Sequence, residues 1–177
     1  MKVFSTILML AIGTLTSHAA TAAQLSVPMY EVNAEGIGSP VGEVLVRESP
    51  EGLRFEAKLD KLSAGAHGFH MHEHASCAPS IVDGKPVPAG AAGGHWDPDG
   101  SKKHAGPHEQ GHRGDLPPLQ ADPHGSIDQQ VLAPRIGKLD ELRGHALMIH
   151  AGGDNFSDQP APLGGGGARM ICGTIAL

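Results

Sequence analysis

The chain has 177 residues with a formal net charge of −6, and it is rich in glycine (25) and proline (14) but only 3% aromatic. This composition suits one domain with a hydrophobic core but argues against a helical bundle, because glycine and proline favour turns. The negative charge and the lack of a basic run exclude a general affinity for nucleic acid or anionic membranes. The 12 histidines nearly equal the 13 lysines and arginines, which indicates metal chemistry.

Residues 1–23 predict a secretory signal peptide. Lys2 precedes an apolar run over residues 3–15, and small residues follow it. The run is too short to span a bilayer comfortably, and no other segment approaches the ~20 apolar residues that a span requires. We expect cleavage after Ala20, Ala22 or Ala23, and an exported mature domain that covers residues 24–177 with an approximate start.

The mature chain is predicted to be all-β. Apolar and charged residues alternate strictly from Leu53 to Leu59, which is typical of a strand with one buried and one wet face. Pro28 favours an edge position for the first strand, because proline cannot donate to a ladder. The best helical segment, residues 139–142, is short. The predicted strands are residues 25–32, 41–46, 53–59, 68–74, 146–151 and 170–175.

Two long segments show no periodicity. Residues 77–115 are dense in Gly, Pro, His and Asp, and residues 152–167 hold two aspartates, two prolines and a run of four glycines. Compact domains rarely hold such long bare loops, and bound metal would organise the first one from within. The two cysteines, Cys77 and Cys172, are most simply a disulfide in an exported chain, with a metal-binding thiolate pair as the alternative.

The histidines fall in clusters with metal-ligand spacing. His70 and His72 lie two residues apart in a predicted strand, so both imidazoles face one side; two exposed strand histidines are the plain alternative. The first long loop adds three histidines and an aspartate that could complete a tetrahedral zinc site, or could simply be solvated. Imidazoles suit copper and zinc, whereas calcium would require more carboxylates. His150 ends a later apolar run.

Seven motifs, in order through nearly the whole mature chain, resemble those of the exported bacterial copper,zinc superoxide dismutases. They are GFHMHE (68–73), AGGHWDP (92–98), KHAGP (103–107), GHRGDLP (111–117), MIHAGGDN (148–155), SDQP (157–160) and GGGGARMICG (164–173). The resemblance implies a Greek-key β-sandwich, that is, a flattened eight-stranded barrel with two large metal-site loops. It also implies a periplasmic location, superoxide as substrate, and one copper ion and one zinc ion per subunit.

The resemblance also implies a role for each site residue. Copper ligands are His70, His72, His95 and His150. Zinc ligands are His95, His104, His112 and Asp115. His95 would bridge the two metals, because an imidazole can lose its second ring proton between two cations. Asp154 resembles the carboxylate that connects copper and zinc ligands, and Arg169 the arginine beside the open copper position.

The implied reaction converts two superoxide radicals to dioxygen and hydrogen peroxide. Copper would alternate between Cu(II) and Cu(I), zinc would be structural, and His95 and Arg169 would be the catalytic residues. Lys61, Lys102 and Lys103 are candidates for guiding the anionic substrate. His67 resembles a structural histidine near the copper strand. Four more histidines have no assigned role: His74, His108, His124 and His145. The His-x-Gly-Asp spacing favours His112 over His108 as the zinc ligand.

A non-catalytic periplasmic protein that buffers or delivers copper and zinc is the main alternative function. Such a protein would use the histidines but would have no use for Arg169 at an open copper position. A zinc hydrolase is a weaker alternative, because no general base is identifiable. The aromatic-poor surface predicts no obvious apolar interface, so the sequence is compatible with either a monomer or a homodimer.

Overall fold

The protein is built from β-strands and three short 3-10 helices over residues 23–176, the part that the computed structural model describes. The strands are β1 Gln24–Asn33, β2 Gly36–Ser49, β3 Gly52–Leu59, β4 Gly65–His67, β5 Phe69–His72, β6 Ser80–Val82, β7 Lys85–Val87, β8 Leu119–Ala121, β9 Ile127–Ala133, β10 Ala146–His150 and β11 Arg169–Thr174. The 3-10 helices are Gly90–Ala92, Leu139–Leu142 and Leu163–Gly165. The all-β prediction is confirmed.

Every predicted strand overlaps an observed one. The prediction at residues 53–59 falls within β3, whereas β2 is longer than expected and the strand predicted at residues 68–74 ends at His72. The helix predicted at residues 139–142 is a single 3-10 turn. The predicted signal peptide lies outside the described residues, apart from Ala23. No helix within residues 23–176 is long and apolar enough to cross a bilayer.

Seven strands form a curled antiparallel sheet in the order β5-β10-β11-β1-β2-β3-β9. The short β4–β8 ladder lies between β5 and β9, the two edge strands of this sheet. β4 leads into β5 across Gly68, and the Gln120 amide of β8 donates to the Gln129 side chain of β9 at 2.8 Å. The curl therefore approaches a closed barrel, with the metal-site loops attached to the β5–β10 edge.

The edge position predicted from Pro28 is wrong for its strand. β1 pairs with β2 on one side and with β11 on the other, so it is an interior strand. The ladder to β11, however, joins only Tyr30 and Glu31 to their partners. Pro28 lies before this short ladder and faces Glu43 of β2, so its missing N–H interrupts no paired segment on the β11 side.

The hydrophobic core fills the inside of the curl. In β3 the alternation predicted from the sequence is realised, since Leu53, Phe55, Ala57 and Leu59 are all buried. Phe55 meets Phe69 of β5 edge to face, with ring centroids 5.8 Å apart. This contact packs the strand that carries two of the predicted copper ligands directly against the core.

A disulfide joins Cys77 to Cys172, with Cα atoms 5.8 Å apart, and this part of the sequence prediction is confirmed. It ties the start of the first long loop to β11 and lies in a second, smaller buried cluster with Ala89 and Met148. The same loop contains the hairpin β6–β7, which the sequence analysis missed. Asp83 and Gly84 at its turn both have positive φ, as an Asp-Gly hairpin turn requires.

Candidate metal centre

Two strands and the first long loop bring the candidate ligands together. β10 pairs with β5 so that Met148 lies opposite His70 and Ala146 opposite His72, which leaves His150 at the open end of this ladder. The loop then returns to β5, because its backbone forms isolated bridges between His70 and Asp115 and between His72 and His95.

Gly114 allows this return. A Cβ atom at this position would collide with the carbonyl oxygen of Met71 and would lie 2.9 Å from the Trp96 amide nitrogen. The Gly114 amide donates to the Trp96 carbonyl at 2.9 Å, and its own carbonyl accepts from the Met71 amide at the same distance. The absence of a side chain therefore lets the loop lie directly on β5.

Four histidines form one buried group: His70, His72, His95 and His150. Each offers one ring nitrogen, and these nitrogens lie within 4.8 Å of one another. Burial lowers the pKa of all four imidazoles, to about 3 for His70 and about 4 for His150. The rings are therefore neutral near pH 7, the state in which imidazole binds a metal.

A second buried group contains His95 again, with three further residues: His104, His112 and Asp115. The Nδ1 atoms of His95, His104 and His112 lie 2.9, 3.0 and 3.2 Å from the same oxygen, Asp115 Oδ1. Three imidazoles and one carboxylate are a ligand set typical of zinc in tetrahedral sites.

The charges in this second group are strongly coupled. Burial by itself raises the pKa of Asp115, but the hydrogen bonds from His104, His112 and His95 outweigh it and hold that pKa well below its usual range. Burial lowers the pKa of His104, but hydrogen bonds to Asp115 and Asp154 outweigh it and raise the pKa to about 9. The second group thus differs from the first in holding an imidazolium beside carboxylates near pH 7.

The remaining ring nitrogens are held by the protein. His72 Nδ1 donates to the Gly93 carbonyl at 3.0 Å, and His150 Nδ1 donates to the Gly167 carbonyl at 3.1 Å. Asp154 accepts from His70 Nε2 and His104 Nε2, each at 2.7 Å, so one carboxylate fixes a ring in each group. Such bonds set the tautomer and leave the other nitrogen of each ring free to bind a metal.

The second long loop packs against Asp154 through Gly164. A side chain at Gly164 would collide with the Asp154 carboxylate and would lie 2.7 Å from His104 Nε2. Asp158, from the SDQP motif, accepts hydrogen bonds from the His104 amide at 3.0 Å and the Leu163 amide at 3.2 Å. The motif predicts no role for Asp158; in the structure its carboxylate ties the two loops together.

The free nitrogens of the first group fit a metal ion. His70 Nδ1 and His95 Nε2 are buried without a hydrogen-bond partner among the described residues. His72 Nε2 and His150 Nε2 lie 3.4 Å apart, and both are unprotonated because the opposite ring nitrogen carries the proton. Two lone pairs facing each other repel unless a cation lies between them, so copper and zinc fit these residues.

Arg169 lies half-buried beside the first group. Its Nη1 donates to the Ala89 carbonyl at 2.6 Å and its Nη2 to the Gly93 carbonyl at 2.5 Å. Arg169 and Lys61 line one cleft of about 400 Å³. The exposed Lys102 and Lys103 do not line this cleft, so Lys61 is the one of the three candidate lysines that shares it with Arg169.

Other histidines lie apart from both groups. His67 is buried, and its ring nitrogens lie 2.7 Å from the His150 carbonyl and 2.9 Å from the Ser63 carbonyl, which agrees with a structural position. His108 is exposed, whereas His112 Nδ1 lies 3.2 Å from Asp115 Oδ1. None of three further histidines joins a metal group among the described residues: His74, His124 and His145.

Comparisons with known proteins identify the family of the chain. The sequence model described as copper/zinc superoxide dismutase matches residues 41–175. The chain is 51% identical over 161 residues to the Cu-Zn superoxide dismutase of Brucella abortus, which covers 91% of this chain and 93% of that protein. The chain belongs to the copper/zinc superoxide dismutase family.

Solved structures of the family have the same fold. The Cu/Zn superoxide dismutase from Brucella abortus superposes with a TM-score of 0.85 at 52% identity, covering 86% of this chain and 99% of that one. The monomeric enzyme from Salmonella enterica gives a TM-score of 0.78, with the same identity and coverage. As a copper/zinc superoxide dismutase the chain is an oxidoreductase that acts on superoxide, with copper and zinc as cofactors.

Proposed function

We propose the following division of the site between the two metals of superoxide dismutation. The copper ligands are His70 Nδ1, His72 Nε2, His95 Nε2 and His150 Nε2. The zinc ligands are His95 Nδ1, His104 Nδ1, His112 Nδ1 and Asp115 Oδ1. The observation that carries the assignment is the membership of His95 in both groups, with its Nδ1 towards Asp115 and its Nε2 unpartnered.

In the proposed mechanism the bound copper supplies the one-electron exchange with superoxide, and zinc is redox-inert. His95 holds its Nδ1 at the zinc group throughout the reaction. Its Nε2 can bind a proton whenever it is not a ligand, and it can return that proton to the forming peroxide. Solvent is the source of this proton and of the second one that hydrogen peroxide requires, and the ring that relays it is only 4% exposed.

Arg169 receives the anionic substrate in this proposal. Two backbone carbonyls hold its guanidinium, so the side chain is oriented before the substrate arrives. Burial lowers the pKa of Arg169, but the side chain keeps its charge because arginine titrates far above physiological pH. A fixed positive charge is required here, because the protein as a whole is negative and would otherwise repel superoxide.

Stopped-flow decay of superoxide tests the assignment. The mature protein is reconstituted with one copper and one zinc, rates are normalised to bound copper, and a chelator removes free copper. His95→Ala is expected to lower the rate by at least about 100-fold, whereas His108→Ala, at an exposed histidine, stays within about twofold. Full activity of His95→Ala with both metals bound would contradict the bridging role.

Zinc stoichiometry tests the choice between the two loop histidines. His112→Ala is expected to lose zinc and His108→Ala to keep it, because of these two residues His112 is the one whose ring contacts Asp115. The reverse result would overturn the assignment of His112.

We further propose that the chain is exported to the periplasm with residues 1–23 removed. The order of Lys2, an apolar run and small residues supports a signal peptide, and the disulfide suits an oxidising compartment. The mass of the protein from a periplasmic extract should match a start near Gln24. Leu8→Arg, within the apolar run, should retain the protein in the cytoplasm at its full mass; export of this variant would contradict the proposal.

A single chain would be catalytically complete, whether the protein is a monomer or a homodimer. Every proposed ligand, Asp154 and Arg169 come from the same chain. We therefore expect activity per copper to be independent of protein concentration across any dimer dissociation. A rate that falls on dilution while the metals stay bound would contradict this.

A further inference from the structure

Arg135 reaches the first long loop from outside it. The residue follows the end of β9 by two positions, and its side chain extends to the segment that carries His112. Its Nη1 donates to the Gly111 carbonyl at 2.9 Å and to the His112 carbonyl at 3.3 Å. Its Nη2 lies 3.5 Å from Asp99 of the same loop. One guanidinium thus contacts the loop at three points.

The opposite side of this segment is already closely packed. The His112 amide donates to the Lys103 carbonyl at 2.9 Å. A Cβ atom at Gly111 would lie 2.7 Å from both the Lys103 carbonyl oxygen and the Ala105 amide nitrogen. The segment is therefore held between residues 103–105 on one side and Arg135 on the other.

His112 depends on its backbone for its orientation more than His104 does. The His104 ring is fixed by Asp154, whereas His112 Nε2 makes no hydrogen bond among residues 23–176. The Nδ1 contact with Asp115, at 3.2 Å, is the only hydrogen bond of the His112 ring in this part of the chain. A shift of the backbone at residues 111–112 would move Nδ1 away from Asp115 directly.

Arg135 belongs to a network that anchors the loop to the body of the protein. Asp99 also pairs with Arg113 at 2.6 Å, and Arg113 lies 3.3 Å from Glu141 of the second 3-10 helix. Arg135 and Asp99 line a cleft of about 450 Å³. Gly111 lines this cleft as well, so removing the guanidinium would free its carbonyl and leave room for the loop to move.

We infer that Arg135 is a positioning residue for zinc, one that slows zinc release by fixing the backbone at Gly111 and His112. The inference rests on the zinc ligands proposed above. A planar guanidinium can donate to both carbonyls and still face Asp99, whereas a lysine ammonium is a point charge on a flexible stem. The expected order of zinc release is therefore Arg135→Ala fastest, Arg135→Lys intermediate and the parent protein slowest.

Zinc release from the copper- and zinc-loaded protein into an excess of a chromogenic chelator tests this order. Arg135→Ala is expected to release zinc at least about tenfold faster than the parent, in line with other groups that orient metal ligands. Arg54→Ala is the matched control, because Arg54 also pairs with a carboxylate but, within residues 23–176, its side chain donates hydrogen bonds only to Glu51 and Gln130. This control should release zinc at the parent rate.

Three further measurements separate positioning from general destabilisation. Copper release and the thermal midpoint of the metal-free protein should change little in Arg135→Lys, and hydrogen exchange at the His112 amide should accelerate. Equal acceleration of copper and zinc release, or zinc release within about twofold of the parent in both variants, would overturn the inference. If Arg135→Ala does not fold, Arg135→Lys carries the test.

His112→Ala distinguishes this inference from the ligand assignment beneath it. Rapid zinc release in His112→Ala but not in the Arg135 variants would remove Arg135 and keep the ligand. Parent-like zinc release in His112→Ala would overturn the ligand assignment and this inference with it.

Discussion

Arg169 and His72 donate to the same atom, the carbonyl oxygen of Gly93, at 2.5 and 3.0 Å. The guanidinium that we propose receives the substrate and a ring of the proposed copper ligands are thus fixed to a single point of the loop. Gly93 has a φ of 78°, and a side chain there would collide with the Glu73 carboxylate. The Glu73 carboxylate in turn accepts from the Gly94 amide at 2.7 Å, which holds this turn in place.

Reversing the charge of Arg169 should impair substrate capture. We expect Arg169→Glu to lower the superoxide decay rate at least about tenfold and to weaken its dependence on ionic strength, because the local attraction is lost. Arg169→Lys keeps the charge but not both carbonyl bonds, so its rate should be intermediate. Rates measured by stopped flow across a salt series provide the check; parent-like kinetics of Arg169→Glu would remove this residue from the site.

Lys61 should guide the substrate, because it lines the same cleft as Arg169. Lys61→Glu is expected to lower the rate severalfold at low salt, with a smaller difference at high salt, where the Debye length is about 3 Å. Lys102→Glu makes the same change of charge at an exposed residue outside that cleft. Equal effects of the two variants would indicate a net-charge effect and no specific role for Lys61.

Asp154 should couple the two metal groups. The Asp154 carboxylate accepts hydrogen bonds from His70 Nε2 and His104 Nε2, each at 2.7 Å. Asp154→Ala therefore frees both rings together. Loss of such a partner typically lowers metal affinity about 10- to 100-fold. We expect weaker copper and zinc binding in competition titrations, whereas Asp158→Asn, which alters the contacts with the His104 and Leu163 amides but with no histidine ring, should affect zinc alone. Loss of one metal only in Asp154→Ala would contradict the coupling.

Zinc uptake should release a proton from His104. Carboxylates raise the pKa of His104 to about 9 in the metal-free protein, so the ring is charged near pH 7 and must lose a proton to bind zinc. Zinc affinity should therefore rise with pH up to about 9. His70 and His150, with pKa values of about 3 and about 4, are already neutral. Copper uptake by the zinc-loaded protein should release no proton from these two rings.

Calorimetry in two buffers of different ionisation enthalpy measures the released protons. The same raised pKa stabilises the metal-free fold while His104 is charged in the folded state. That contribution is complete below the unfolded pKa of about 6.5 and is lost as the pH rises through about 9. A buffer-independent enthalpy of zinc binding near pH 7 would contradict the charged state of His104.

The sequence by itself predicted six of the eleven strands of residues 23–176 and the residue types of the site, and it favoured the disulfide over a metal-binding thiolate pair. Alternation from Leu53 to Leu59 is a local property, and so is the parity that places His70 and His72 on one side. The seven motifs supplied the candidate ligands of the loop. An Asp-Gly pair at Asp83 also carried the signal for the β6–β7 hairpin, which could have been found in advance.

The tertiary structure decided which nitrogen of each ring is free to bind a metal and which groups hold the rest. The acceptors at Gly93 and Gly167 are backbone carbonyls, which every residue possesses, so no sequence pattern distinguishes them. The interior position of Pro28 and the reach of Arg135 to His112 likewise depend on segments far apart in the chain. Periodicity reports only neighbours along the chain, whereas these contacts exist only once the sheet has curled and the loops have returned to β5.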